Sequence, residues 1–424
     1  MTLTIKNVGI IADSSIDIEG ITVVGGENDT GKSTISRALY AVFSAFHNIQ
    51  TRIMKERTDN IEKLLDRFFT EDNRVDFFSL GFDGSSLAES IVTESEHELQ
   101  MNKRALTKFL RPKLEEIYED ELDEGKYDEL CTKIIEVLHI PQATLINTLA
   151  AKALLAEFSG QITNTECDDN AEIALEVKES KIVIHVRGDA VFHAENALNL
   201  RTEAIYIDDP FILDDLTPAK RFYSTFYTYK SHKDRLRELL IFQRNNSNVV
   251  TEIIANERLQ RILEKISFVC EGDIVQQRAL GFGYRKSDNK KAITIGNLST
   301  GIKAFAILKM LLIRGLLEEN GTIILDEPEI HLHPEWQLQF AELIVLLHKE
   351  FGMHILLNTH SPYFLRAIQV YARENGVADK CRYYMAERNG DISRIRDVTD
   401  RVEVIYERLA RPLQKLEDLR WTDV

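Results

Sequence analysis

From Ile21 to Arg37 the chain reads Ile-Thr-Val-Val-Gly-Gly-Glu-Asn-Asp-Thr-Gly-Lys-Ser-Thr-Ile-Ser-Arg. Gly26, Gly31, Lys32 and Ser33 fit the spacing G-x-x-x-x-G-K-[ST] of a phosphate-binding loop (P-loop). The glycines let the backbone curl until several N–H groups face one phosphate chain. A helix opening near Lys32 would add the partial positive charge of its N-terminus. Lys32 would reach the β- and γ-phosphates, and Ser33 would hold Mg²⁺. With Glu27, Asn28, Asp29 and Thr30 inside the loop and Thr34 after it, these residues form a candidate ATP cradle. Apolar run, glycine turn and helix follow in the required order, which sets the stretch apart from a chance glycine–lysine turn.

Three later stretches supply what a phosphate cradle lacks. Residues 321–329 read Gly-Thr-Ile-Ile-Leu-Asp-Glu-Pro-Glu, a largely apolar strand ending in Asp326 and Glu327. Asp326 would bind Mg²⁺ through water, and Glu327 would act as general base on the attacking water. His360 follows the strand His354-Ile-Leu-Leu-Asn-Thr, at the strand end where α/β sheets bind ligands. There it would contact the γ-phosphate and report its loss. Asn297-Leu-Ser-Thr-Gly-Ile-Lys303 precedes a long apolar helix, so Ser299 and the N–H groups near Gly301 make a second anion site. Alone this reads as a plain helix cap. Beside the other motifs it implies two chains facing head to tail, each closing over the other's ATP.

The elements that position these groups alternate. Short strands are expected at 2–8, 15–18 and 20–25, then a helix from Lys32 to Phe46 with Ile35, Leu39, Val42, Phe43 and Phe46 at helical spacing. Residues 51–166 are charge-rich and helical, with Ile61, Leu64, Leu65 and Phe68 on one face. Period-two alternation across 172–194 predicts a hairpin turning at Lys178–Lys181, and Ala204–Ile207 is another strand. Residues 217–267 return to helix with a break near Asn245–Asn248, and strands follow at 281–285 and 291–295. Helix 301–317, strand 322–325, helix 335–349, strand 353–358 and helix 361–374 imply a parallel sheet covered by helices. A hairpin at 382–398 turns at Asn389-Gly390, and helices run on to Leu419.

The 424 residues are 44% hydrophobic and 28% charged, a globular profile with ample material for a core. No stretch approaches ~18 uninterrupted apolar residues, so no membrane partner is expected. The N-terminus lacks a signal peptide's basic and apolar regions. Cys131, Cys167, Cys270 and Cys381 are scattered, which fits a reducing, cytoplasmic setting with neither zinc nor disulfides. A net charge of −16 argues against a chain that coats nucleic acid indiscriminately, while leaving room for a local basic groove.

Gly26–Ser33, Leu298–Gly301, Leu325–Glu327 and His360 together resemble the motif set of ATP-binding-cassette (ABC) ATPases. The version resembles the soluble branch: RecF, the SMC/Rad ATPases and the ATPase half of overcoming-lysogenization-defect (OLD) nucleases. Asp326-Glu-Pro-Glu-Ile-His-Leu-His-Pro followed by Asn358-Thr-His-Ser-Pro is similar to OLD-type and Septu-type defence ATPases. The resemblance implies an α/β fold: an ABC-type P-loop head with a mixed or parallel sheet, flanking helices and an antiparallel β lobe. The head would comprise 1–50, 168–210 and 268–424, with a helical insertion at 51–167 and a helical arm at 211–267. In transporter ABC domains the loop and signature lie much closer than Lys32 and Ser299 do here, which sets that class aside. The OLD nuclease's Toprim domain is not expected in the residues after His360, so a separate effector protein would carry the output.

Two departures stand out. Thr300 replaces the serine or glycine of many signatures, and a Q-loop glutamine is missing after Ala204–Ile207. Asp208 and Asp209 stand there and are candidate Mg²⁺ ligands; Gln243, Gln276 and Gln277 are weaker alternatives. His331 and His333 invite a metal reading, but a structural or dimer-contact role fits better without a third ligand nearby. The acidic run Glu115–Glu129 reads as a solvated helix end rather than a metal or basic-partner site. Lys220–Arg244 interleaves basic residues with Phe222, Tyr223, Phe226, Tyr227 and Tyr229, which suits either DNA binding or an amphipathic arm. Lys103, Arg104, Lys108 and Arg111 carry the same ambiguity. Two functions follow: an ATPase, homodimeric or larger, that senses or gates for an effector in bacterial anti-phage defence, or a RecF-like DNA-repair ATPase.

Overall fold

The computed structural model describes residues 1–70, 84–97, 101–115, 123–166, 170–216, 230–241, 249–277, 281–286 and 291–421. They form two compact units, residues 48–148 and residues 1–47 with 149–424.

The chain opens with β1 (Thr2–Val8), β2 (Ile11–Asp17), β3 (Ile21–Gly26) and α1 (Lys32–Phe46). Helices α2 (Ile49–Thr70), α3 (Gly84–His97), α4 (Lys103–Glu115), α5 (Glu124–Leu138) and α6 (Gln142–Phe158) come next. Strands β4 (Asn170–Val177), β5 (Ser180–Arg187), β6 (Ala190–Asn196) and β7 (Ala204–Ile207) follow. A 3-10 turn at Pro210–Asp215 precedes α7 (His232–Ile241) and α8 (Val249–Val269). Then come β8 (Asp273–Gln277), β9 (Gly281–Arg285) and β10 (Ile293–Thr294), a small sheet of their own. The remainder is α9 (Thr300–Ile313), β11 (Thr322–Asp326), α10 (Pro334–Phe351), β12 (His354–Thr359) and α11 (Pro362–Glu374). It ends in β13 (Cys381–Asn389), β14 (Ile392–Asp397) and α12 (Glu403–Trp421).

The large sheet runs β6-β5-β4-β1-β2-β14-β13-β3-β12-β11-β7. From β6 to β2 neighbours are antiparallel, while β13, β3, β12, β11 and β7 are parallel. Every residue of β3 and β11 is buried, as expected of parallel strands covered on both faces. Register does the positioning. Gly25 pairs with Thr359, Asp326 with Asn358, and Leu325 with Ile207. The ends of β3, β11 and β12 therefore open on one edge, where ligands of α/β sheets bind.

The unit of residues 48–148 has its own core. Ile61 and Leu65 of α2, Leu106 and Leu110 of α4 and Ile134 of α5 are wholly buried, at the spacing of one helix face. In the sheet-bearing unit, Ile212, Leu236, Leu240, Ile262 and Ile266 share one core with Ile323 and Leu325, so the described apolar residues between 211 and 267 pack with the sheet. No single helix among the described residues is long and apolar enough to cross a membrane.

Several elements depart from their expected limits. β2 begins at Ile11 rather than 15, because Ile11 and the polar Asp13, Ser14 and Ser15 pair with β1, while Ile11 and Asp13 also pair with β14. The hairpin closes in two residues, Lys178 and Glu179, with Lys178 at φ 57°, and a third strand, β6, extends it. α9 stops at Ile313, with Gly315 just beyond in the left-handed region at φ 63°. β10 is only two residues long. The expected break at Asn245–Asn248 lies outside the described residues, apart from the position where α8 begins.

Candidate active site

The P-loop is built by three close approaches. β3 lies between β12 and β13, and a Cβ on Gly26 would sit 2.6 Å from the Ala386 carbonyl oxygen of β13. Only glycine fits there. Gly31 takes φ 86° at the start of α1, where a side chain would also strike Ile11 at 2.9 Å. Thr30 Oγ1 donates to the Glu27 carbonyl at 2.8 Å and closes the curl. Lys32, buried at 4% exposure, donates from Nζ to the carbonyls of Gly26 at 3.1 Å and Glu27 at 2.7 Å. Burial pushes its ammonium below the usual lysine range, against the pull of Glu327 and Asp326.

A cavity of about 590 Å³ opens over the loop, lined by Asn28 through Thr34. Gly26 and Glu27 do not line it. The carboxylates of Glu27 and Asp29 instead pair with Arg408 of α12 and Arg388 of β13. Two of the loop's negative charges are thus answered by arginines from other elements. The rest of the wall comes from the β1–β2 turn, Arg37, Phe158, Glu327 and the polar Gln161, Thr163 and Thr165. Sequence reasoning missed that segment, which carries no motif and reaches the loop only through the sheet.

The second half of the site stands at the ends of β11 and β12. Asp326 accepts from Asn358 Nδ2 at 2.8 Å and from the Tyr206 hydroxyl at 2.9 Å, one bond to each oxygen. Burial and the Asp326 charge push the Tyr206 hydroxyl well up, so it keeps its proton and donates. Asn358 also donates to Ser36 Oγ of α1 at 2.8 Å, joining the helix after the loop to the strand end. Glu327 takes φ 50°, a left-handed conformation uncommon outside glycine, and its N–H bonds the Asn358 carbonyl at 3.0 Å. This turn carries the carboxylate into the cavity. Its Oε1 lies 3.7 Å from Lys32 Nζ and 3.4 Å from His360 Nδ1. The His360 ring, and after it Lys32, hold the Glu327 carboxyl below the usual range and keep it ionised. Glu327 in turn raises the His360 imidazole. Beneath them Glu329, 2% exposed, accepts from Thr359 Oγ1 and from the His360 N–H at 3.2 Å, and burial pushes its carboxyl up.

The donor chemistry suits a magnesium nucleotide. Asn358 Oδ1 is a buried polar atom with no hydrogen-bond partner, on the same amide whose Nδ2 donates to the Asp326 carboxylate. Ser33 lines the cavity beside Lys32. Ser33 and Asp326 are the residues that would hold the ion.

Other expected residues fare differently. Asp208 lies 3.1 Å from His232 and 3.0 Å from Lys233, and Asp209 accepts the Phe211 N–H at 2.8 Å. Both carboxylates have structural partners, and both line a smaller pocket together with Asp326 and Glu327. Gln243 and the side chains of Gln276 and Gln277 lie outside the described residues. Ser299 caps α9 by position without a side-chain hydrogen bond, and neither it nor Gly301 lines the P-loop cavity. A Cβ on Gly301 would sit 2.7 Å from the Trp336 ring. His333 accepts the Glu335 N–H and caps α10, while His331 stands edge-on to Phe211. No group of three or more metal-ligating side chains occurs among the described residues.

Of the basic arm, Lys230, Lys233, Arg235 and Arg237 pair with Glu238, Asp208, Glu203 and Asp234. Residues 217–229 and Arg244, with the arm's aromatic residues, lie outside the described residues. In the other unit, Lys103 and Arg111 pair with Asp128 and Glu124. Asp123 caps α5 there by accepting the Gly125 and Lys126 N–H groups, a helix-end use of the acidic run.

A stretch of 87 residues is 33% identical to an OLD nuclease of Thermus scotoductus, covering 20% of this chain and only 16% of that protein. Solved structures that resemble the chain include an SMC head bound to the C-terminal winged-helix domain of ScpA (TM-score 0.44, 11% identity, 93% of this chain and 96% of that one). Another is the SMC head domain from Thermotoga maritima (TM-score 0.38, 12% identity, 94% and 98%). The AAA ATPase domain model matches residues 1–365, a span that holds the loop, the Asp326–Glu327 pair and His360, and the chain belongs to that family.

Proposed function

We propose that this ATPase binds ATP with Mg²⁺ in the P-loop cavity and hydrolyses it in a site completed by a second copy. The observation that carries the reading is the meeting of Lys32 and Glu327 at one cavity, with His360 Nδ1 3.4 Å from the inward-turned Glu327 carboxylate. Loop N–H groups and Lys32 would bind the phosphates. Glu327 would orient a water and take its proton, with His360 beside it on the γ-phosphate side. Bound by Ser33 and Asp326, Mg²⁺ would neutralise charge on the β- and γ-phosphates. Ser299 and Gly301 lie outside this cavity's wall, which favours their use on a partner's nucleotide, head to tail.

The output is proposed from the resemblance. The wording after Asp326 and around His360, with the short OLD nuclease match, favours sensing or gating for a separate nuclease or toxin effector in anti-phage defence. The segments 51–167 and 211–267 are the proposed places for it. The DNA-repair reading stands behind, because four cations of the arm are already paired with carboxylates. The test is purification with the products of neighbouring genes, with and without ATP, using Glu327→Gln to hold the closed state. Recovery of the ATPase alone under every condition overturns the effector reading. Wild-type hydrolysis by Glu327→Gln overturns the catalytic one.

A further inference from the structure

Behind Asp326 lies a buried polar chain that none of the motifs explains. The Tyr206 ring stacks on His232, with centroids 4.1 Å apart and planes 24° from parallel. Tyr40 of α1 stands on the ring at 6.0 Å. His232, the first residue of α7, is gripped by Glu157 of α6. Its backbone N–H and its Nδ1 each meet a Glu157 carboxylate oxygen at 2.7 Å. On the ring's other side Nε2 lies 3.1 Å from Asp208, the residue after β7. Glu157, His232 and Tyr206 are 5%, 6% and 2% exposed. They come from three elements and form a chain whose last member, Tyr206, donates to the one Asp326 oxygen that Asn358 does not hold.

Stability alone does not account for this arrangement. Replacing a buried ionic group with packed apolar side chains is often neutral or stabilising, so such a network is weak evidence of a stabilising role. What the chain does is geometric. A carboxylate held by one hydrogen bond can swing about its Cβ–Cγ bond, whereas one bonded on both oxygens is fixed in plane. A group that orients an ion-binding carboxylate tunes the affinity of the ion.

We propose that Tyr206, and behind it His232 held by Glu157, are positioning residues that fix the Asp326 carboxylate for Mg²⁺. They would thereby tie the start of α7 to the hydrolytic centre. This rests on the reading of Asp326 as the Mg²⁺-binding carboxylate.

The experiment titrates Mg²⁺ into the ATP-bound 424-residue chain and follows two readouts, the rise in thermal midpoint and the rate of hydrolysis. Tyr206→Phe keeps the ring on His232 and removes only the donor. It should raise the half-saturating Mg²⁺ about tenfold or more in both readouts. Its kcat at saturating Mg²⁺ should fall less than its Mg²⁺ half-saturation rises, and its thermal midpoint with ATP in excess EDTA should drop by no more than the loss of one buried hydrogen bond. Glu157→Gln should shift the Mg²⁺ requirement the same way by less. Wild-type Mg²⁺ half-saturation in Tyr206→Phe overturns the proposal, as does a thermal midpoint lowered equally with and without Mg²⁺. A wild-type chain that gains neither stability nor rate from Mg²⁺ instead overturns the assignment of Asp326 itself.

Discussion

Lys32 Nζ lies 3.7 Å from Glu327 Oε1, joining the first residue of α1 to the residue after β11. The register that pairs Asp326 with Asn358, and Gly25 with Thr359, carries both groups to one edge of the sheet. A phosphate entering the loop would compete for this lysine, so the pair links substrate binding to the freedom of the general base.

Separating those two roles is the most direct test. Lys32→Ala should abolish ATP binding. Glu327→Gln should still bind, while phosphate release falls by about 10²–10⁴-fold. Equilibrium binding of a fluorescent ATP analogue beside a phosphate-release assay distinguishes the two losses.

If the site is shared, its halves can be supplied by different chains. Lys32→Ala and Ser299→Arg should each be inactive alone. Mixed together they should partly recover hydrolysis, because one of the two composite sites then holds an intact loop and an intact signature. No recovery on mixing, with both variants folded, argues for a site complete within one chain.

Gly26 is required by packing as well as by any ligand. Gly26→Ala places a methyl 2.6 Å from the Ala386 carbonyl oxygen, a backbone atom that cannot swing aside. We expect a loss of about 1–3 kcal/mol in denaturant unfolding. Gly296→Ala, where a Cβ would meet nothing within 4 Å, serves as the control and should change stability by less than about 0.5 kcal/mol.

His354 sets a pH dependence away from the site. Burial lowers its imidazole below the ordinary 6.5, with the N-terminal ammonium and His348 adding to the effect and the bond to the Glu19 carbonyl opposing it. The folded chain therefore binds fewer protons here than the unfolded chain. This contribution is complete above 6.5 and is lost as pH falls through the depressed folded value. His354→Gln should flatten that loss when unfolding midpoints at neutral and mildly acidic pH are compared. An unchanged slope would show that other groups carry it.

Local chemistry was legible wherever a short segment determines it. The glycines and Lys32 encode the loop, since curl, charge and helix start are properties of neighbouring residues. The apolar run into Asp326 and Glu327 encodes a buried strand with carboxylates at its end, and the strand–helix alternation encodes a parallel sheet. Composition hid β2, whose Asp13, Ser14 and Ser15 look like a loop yet all pair with β1, Asp13 with β14 as well.

The tertiary structure decided what depends on distant residues meeting. Nothing in Asp208-Asp209 reveals that one is matched by His232 and Lys233 while the other caps a turn. Arg235 reads as a free cation until Glu203 is found against it. Tyr206 is an unremarked strand residue until parallel pairing of β7 with β11 brings its hydroxyl to Asp326. The sequence by itself determined which groups could handle a phosphate, because that depends on residue type and near spacing. Only the tertiary structure decided which charges remain free to do it, because partners are chosen by strand register and helix packing across the whole chain.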